Sequence, residues 1–316
     1  MNALERDVLR VPREDIRRIA KRVGQHYHPF DIRKGATSWR HIDNPSPFLK
    51  RLQTAIAKRL LQPLPLPSNM LGGVGRRTIA DNSDIHARSS VLVSMDIRNF
   101  FPSTSHHQVM EVFLRDARCS EHIASLLTKL TTLHGGLPQG APTSSALANL
   151  VVAPMFRELE VLARELDLVV SIWVDDIAFS GVRAKEAIEP AVRIVEKYGY
   201  SIGSKKTQVI PRHRPQRLTG TVVNSRRSVG QARLRAIRNE IYDYAASRKT
   251  TTIDLLRVQG LIGSVRVVSE LQAARLANLA ARLLPDRAAC AGQKATRETR
   301  PCRQKRRHSD AKCIAG

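Results

Sequence analysis

Apolar positions recur along this chain in two periods, and each change of period predicts an element boundary. Leu9, Val11, Ile16, Ile19 and Val23 fall at spacings of mostly three to five, which predicts an amphipathic helix over 3–23. Phe48, Leu49, Leu52, Ile56, Leu60 and Leu61 predict another over 45–62, with Lys50, Arg51, Lys58 and Arg59 opposite. LPLPSNMLGGVGRR (64–77) is a Pro- and Gly-rich loop, and no Gly-Lys-Ser/Thr follows to make a P-loop. The period then shortens. SVLVSMDI (90–97) is short, apolar and β-branched, which predicts a buried strand ending at Asp96. Residues 106–132 read as helical, GGLPQGAP (135–142) as a sharp turn, and 143–166 as a helix carrying Pro154. LVVSIWVDDIAFSG (168–181) reads as a tight hairpin with one apolar arm on each side of Asp175–Asp176. A helix over 184–198, a strand near Gln208–Ile210 and three helices over 231–285 complete the ordered part.

After Pro285 the large apolar residues nearly vanish, and from Asp286 onward nine Lys and Arg face three Asp and Glu. Such a segment cannot bury enough surface to fold, so 286–316 is expected to be a disordered basic tail. The whole chain of 316 residues carries 52 Lys and Arg against 28 Asp and Glu, a net charge of +24. A charge that large works against compaction, and a polyanionic partner, nucleic acid before a membrane surface, accounts for it. Aromatics are only 4%, too few for a single-strand binder built on stacking platforms. No apolar run approaches the ~20 residues of a membrane span, and the opening MNALERDVLRVPRED mixes charges of both signs, unlike a signal peptide. Cys119, Cys290, Cys302 and Cys313 form no CxxC pair, which argues against a compact zinc site and fits free thiols in a reducing cytoplasm.

The chemistry is carried by three acids. Asp96 and Asp175 both end apolar strand-like segments, where an uncompensated carboxylate is expensive to desolvate. Two adjacent acids at a hairpin tip and a third on another strand would repel one another unless cations lay between them. Two Mg²⁺ ions answer that need, and they suit phosphoryl transfer to a 3′-hydroxyl. A plain Asp-rich turn is the alternative for Asp175–Asp176 taken alone.

The order of segments resembles the reverse transcriptase family over nearly all of 25–285. Asp96 followed by Phe100–Phe101 resembles the first catalytic motif, LPQGAPTSSALAN (137–149) the second, and Trp173-Val174-Asp175-Asp176 the third, whose usual form is Tyr-x-Asp-Asp. Lys205-Lys206-Thr207 resembles the basic fourth motif and LTGTVVN (218–224) the primer-gripping fifth. Within the family, Asn82-Ser83-Asp84-Ile85-His86 resembles the Asn-Ala-x-x-His signature of bacterial retron enzymes, and Leu218-Thr219-Gly220 their Val-Thr-Gly triplet. Trp173 for Tyr, Gly203 before the Lys pair, Ser145 where Pro is common, Ser83 for Ala and Leu218 for Val are departures.

The resemblance implies an α+β right-hand polymerase fold: fingers and palm over 1–226 with an antiparallel palm sheet, a helical thumb over 227–285, and the tail. It implies an RNA-directed DNA polymerase of retron type, copying a structured non-coding RNA into DNA from deoxynucleotide triphosphates. The setting is antiphage defence in the cytoplasm, with an effector protein as a further partner. Asp96, Asp175, Asp176 and the Ile97 backbone carbonyl would hold two Mg²⁺. Phe101 would be the gate against a 2′-hydroxyl, its alternative being an ordinary core ring, with Phe100 expected on the opposite face of a strand. Gln139, Gly140, Lys206 and Arg77 would meet the nucleotide. Trp173, Asn82, His86, Thr219, Gly220, Arg233, Arg235 and Arg238 would meet primer or RNA, although a lone His is more often structural and exposed arginines can be plain solvated charge. Two other readings stand beside this one: another bacterial defence polymerase of the same fold adding nucleotides without a template, and a non-catalytic RNA-binding scaffold.

Overall fold

A computed structural model describes residues 9–33, 38–203, 207–247 and 251–284. It forms two units, the first ending at Gly230 and the second beginning at Gln231.

The first unit is built around a four-stranded antiparallel sheet in the order β4-β5-β3-β6. Its strands are β3 (Val91–Asp96), β4 (Val169–Trp173), β5 (Asp176–Ser180) and β6 (Gln208–Pro211). Alternation along these strands divides the sheet into two chemically different faces. Val93, Met95, Val170, Ile172, Ile177 and Phe179 enter the main core. Leu92 and Ala178 point the other way, into a small second core with Leu218 and Val223. The main core is completed by α7 (Ser144–Glu165), which packs on β4 and on α8 (Ile188–Lys197) and buries Leu147, Phe156 and Leu159 fully. Truncating Phe156 to alanine there would cost roughly 3–5 kcal/mol. Pro154 lies within α7.

The other helices of this unit follow their apolar stripes. They are α1 (Arg13–Lys21), α2 (Pro47–Ile56), α5 (His106–Glu111) and α6 (Glu121–Thr131). Ser46 caps α2, and Ser105 and Gln108 form a reciprocal capping box on α5. A short helix, α3 (Ile79–Ile85), starts with a second capping box between Thr78 and Asp81. Strands β7 (Arg217–Leu218), β8 (Thr221–Val222) and β9 (Ser228–Val229) make a small antiparallel sheet. The second unit holds α9 (Gln231–Ala246), α10 (Thr252–Arg266) and α11 (Glu270–Leu283), packed through Leu234, Ile237, Val258, Ile262, Val265 and Leu276. Among the described residues, no helix is long and apolar enough to cross a membrane.

Several expectations change. Residues 106–132 form two helices, because Arg118 adopts a left-handed φ of 51° and ends the run that began at His106. The expected helix over 3–23 is described only as Arg13–Lys21; Val23–His26 tightens into a 3₁₀ turn, and residues 1–8 lie outside the described residues. The chain divides at 230, not 226, since Ser228–Val229 pairs with Thr221–Val222 and belongs to the first unit. An antiparallel ribbon, β1 (Tyr27–Arg33) with β2 (Trp39–Pro45), carries no apolar alternation in sequence because it buries only its base, at Tyr27 and Pro45. The expected tail, 286–316, lies outside the described residues.

Candidate active site

The pairing of β3 with β5 places Asp96 directly opposite Asp176, and the Ile97 amide donates to the Asp175 carbonyl at 2.8 Å. Directly opposed residues project from the same face, and like charges so placed destabilise a sheet. Asp175 sits in the two-residue turn between β4 and β5, where Val174 takes φ 60°. That conformation is unfavourable for a β-branched residue and has to be held by its surroundings. The loop over 64–77 holds it. Leu71 N–H donates to the Ile172 carbonyl at 3.0 Å, Ile172 N–H to the Asn69 carbonyl at 3.1 Å, and Asn149 Nδ2 to the Gly72 carbonyl at 2.8 Å. Gly72 lies so close that a Cβ there would stand 2.3 Å from the Val174 nitrogen.

Asp96 and Asp175 open into one cavity of about 620 Å³, with Phe101, Gln139, Trp39, Arg40, His41, Arg98 and the Ile97 backbone among its walls. Phe100–Ser103 is a single helical turn, entered through Asn99 at φ 47°, and not a strand as expected. Both rings border the cavity and differ in burial: Phe100 is 3% exposed and packs on Tyr200 at 5.8 Å between centroids, while Phe101 is half-buried. Gln139 is clamped by Asp43, whose amide donates to its carbonyl at 2.7 Å and whose Oδ2 accepts from its N–H at 3.1 Å. Gly140 has φ 122°, and a Cβ there would meet Ile42 Cγ2 at 2.9 Å, so packing on β2 requires the glycine. His41 bonds Asp31 at 2.9 Å and lies 3.5 Å from Asp43; the hydrogen bond to Asp31 leads the causes that raise its pKa. Among the described residues no three of His, Cys, Asp and Glu converge into a ready-made metal cage. A hard divalent cation needs no such cage where one or two carboxylates hold it and phosphate oxygens and water complete its shell.

The family model for reverse transcriptase (RNA-dependent DNA polymerase) matches residues 32–223. The chain belongs to that family. It is 30% identical over 231 residues to the Retron Mx162 reverse transcriptase of Myxococcus xanthus, covering 63% of this chain and 47% of that one. To the Retron Mx65 reverse transcriptase of the same organism it is 29% identical over 286 residues, covering 84% and 65%. To the Retron Ec86 reverse transcriptase of Escherichia coli it is 28% identical over 207 residues, covering 64% of each. The chain thus spans between about half and two thirds of these relatives. Among solved structures, telomerase from Candida albicans in complex with the TWJ fragment of telomeric RNA superposes with a TM-score of 0.51 at 11% identity, over 84% of this chain and 56% of that one. The architecture is the α+β right-hand polymerase fold.

Not every residue expected at the reverse transcriptase site comes to it. Asn82 and His86 are buried, at 1% and 0% exposure, and cannot touch RNA as they stand. They belong to an internal clasp. Ser171 Oγ donates to Asn82 Oδ1 at 2.7 Å, so His86 Nε2, 2.8 Å from Ser171 Oγ, is the donor to it. His86 Nδ1 then accepts from Ser180 Oγ at 2.7 Å, and the ring is neutral; burial drives its pKa down to about 4. Ser83 Oγ meets Thr221 Oγ1 at 2.5 Å and ties the same helix to β8. Arg77 is exposed and outside the cavity, and Lys206 lies outside the described residues. Trp173 pairs with Asp176 in the hairpin but does not line the cavity. Thr219 and Gly220 form the β7–β8 turn with φ 47° and 83°. Arg233, Arg235 and Arg238 are exposed on α9, and Arg233 bonds Ser264 Oγ at 3.2 Å.

Sequence reasoning missed Trp39, Arg40, His41 and Arg98. Arg98 is readable from its place two residues after Asp96, whereas the other three sit on the ribbon that gives no hydrophobic signal.

Proposed function

We propose that this chain is an RNA-directed DNA polymerase of retron type that copies a structured RNA into DNA. The observation that supports it most is the meeting of Asp96 and Asp175 with Phe101 and Gln139 in one cavity. Asp96, Asp175, Asp176 and the Ile97 carbonyl would hold two Mg²⁺. Bound there, the ions supply charge neutralisation and a more acidic 3′-hydroxyl. The chain's own groups do the rest. Arg40 and Arg98 present positive charge to a triphosphate, the role expected of Arg77 and Lys206. Phe101 narrows the space beside the sugar. The Asp43 clamp holds Gln139 at the wall. Trp173 would pack near the primer end, and Thr219, Gly220 and the α9 arginines would track the backbone of primer or RNA. Alignment of hydroxyl and phosphate in such a frame accounts for much of the rate of phosphoryl transfer. An effector protein and a role against phage belong to the same reading, which requires a structured RNA locus beside the gene.

The test is primer extension on a primed RNA template with deoxynucleotides and Mg²⁺. Asp96→Asn and Asp175→Asn should each abolish extension while RNA binding stays, since Asn keeps the shape and loses the charge. Extension by Asp175→Asn at the wild-type rate would refute the assignment.

A further inference from the structure

A second groove, of about 330 Å³, runs along the contact between α1 and α6. Arg17, Lys21, His122 and Lys129 line it with Ser125, and none of the residues of the catalytic cavity takes part. All four basic side chains are exposed, and none is ion-paired to a described carboxylate. The acids of these helices do not line it: Asp15 pairs with Arg18, and Glu14 and Glu121 lie outside the walls. The spacing explains the concentration. Arg17 and Lys21 stand one turn apart on α1, and His122, Ser125 and Lys129 recur at three and four on α6, so both helices turn their basic stripes to one trough. Lys129 also lowers the pKa of His106 through its charge, after the larger effect of burial.

Three features narrow the occupant. Arg17, Lys21 and Lys129, three positive groups lining one trough without a carboxylate, repel one another and are relieved by a polyanion. No Phe, Tyr or Trp lines the groove, so it lacks a large platform for an unpaired base and is suited to backbone contacts. Thr128 and Thr131 on α6 turn their hydroxyls back onto the Ala124 and Leu127 carbonyls, whereas Ser125 bonds no described residue. Its hydroxyl and the His122 imidazole give the groove hydrogen-bonding groups of the kind that meet a 2′-hydroxyl. We propose that the α1–α6 groove seats the sugar-phosphate backbone of a double-stranded RNA stem lying outside the catalytic cavity. The inference deepens the proposed function and rests on it for the identity of the RNA.

The experiment compares the full chain with the variant Arg17→Glu/Lys21→Glu/Lys129→Glu, all exposed positions. Equilibrium binding is followed across a salt series with three probes: a primed RNA carrying a long stem, a primer–template of about eight base pairs, and a DNA hairpin matching the long stem. The variant should bind the stem RNA at least about tenfold more weakly at moderate salt. Its log–log salt slope should be shallower by about two to three, near 0.9 per lost phosphate contact. The short duplex should bind and be extended as by the wild type. Unchanged affinity and slope on the stem RNA would overturn the proposal and point to an acidic protein instead. Equal loss on the short duplex would overturn it as a plain field effect, and equal loss on the DNA hairpin would overturn the RNA assignment. Failure of the wild type to extend any primer would refute the polymerase reading alone, because the binding comparison does not depend on catalysis.

Discussion

His86 makes acid stability a direct measure of the buried clasp. Its ring is fully buried between Ser171 and Ser180, and burial alone drives its pKa from 6.5 down to about 4. The unfolded chain takes up a proton near pH 6.5, whereas the folded chain resists until near pH 4. The unfolded state therefore binds more protons between these values, and stability falls as the pH drops through that window. The contribution is fully present above pH 6.5 and lost below pH 4. The gap corresponds to about 3 kcal/mol in all, and to about 2 kcal/mol between pH 7.5 and pH 5. The geometry gives the cause: a second proton on Nδ1 would turn an acceptor into a donor against Ser180, whose own hydroxyl proton would need a new partner. His86→Gln keeps one donor and one acceptor but does not titrate. Urea unfolding of both proteins at pH 7.5 and pH 5.0, with other groups common to the pair, isolates the term. The wild type should lose about 2 kcal/mol more than His86→Gln over that interval. Parallel losses in the two proteins would show that the ring is not held neutral, and the clasp as described would be wrong.

Phe101→Ala should admit ribonucleotides by opening the cavity wall beside the sugar, measured as the ratio of kcat/KM for deoxy- and ribonucleotides; an unchanged ratio in an active variant returns the ring to plain packing. Gly72→Ala should displace the hairpin tip, because its Cβ would lie 2.3 Å from the Val174 backbone nitrogen. Extension should fall by about two orders of magnitude, as for a misplacement of about 1 Å, and wild-type activity would mean the loop yields freely. Arg98→Ala should raise KM for deoxynucleotides with the salt slope of RNA binding unchanged; a changed slope with unaltered KM would place it on the nucleic acid.

The placement of these carboxylates was legible because they interrupt strongly apolar strands, and such an interruption is visible in one dimension. The hairpin at Asp175–Asp176 was legible for the same reason. What surrounds it was not. The β1–β2 ribbon exposes Phe30, Ile32 and Trp39 by 47%, 48% and 64%, so its strands have no buried face to impose alternation. The Pro- and Gly-rich loop over 64–77 was visible as a loop, but nothing in its letters tells that Gly72 presses on a turn a hundred residues later. His86 was offered as a contact for RNA, with a structural role weighed as the commoner case, because a polar side chain shows its chemistry in sequence and its partners only in three dimensions. Those partners, Ser171 and Ser180, sit in apolar strands where a serine looks like a neutral filler.

The clasp also bears on why such polar residues lie behind an active site at all. Ser171 and Ser180 share a sheet face with Asp96 and Asp176, as the pairs Leu92–Ser180, Asp96–Asp176, Val169–Ser180 and Ser171–Ala178 require. The opposite face is wholly apolar. A slip of β5 by one residue would turn Ile177 and Phe179 toward His86 and drive Ser180 and Asp176 into the main core. Burial alone already penalises that slip heavily, since Ile177 and Phe179 would leave the main core and a carboxylate would enter it. A ring that donates to one strand and accepts from the next adds to that penalty, because either shift takes away one of its two partners. The same register that satisfies His86 brings Asp176 opposite Asp96, where their mutual repulsion would otherwise favour separation. The buried histidine thus adds a polar constraint to the apolar burial that holds β5 in the register where Asp176 stands opposite Asp96.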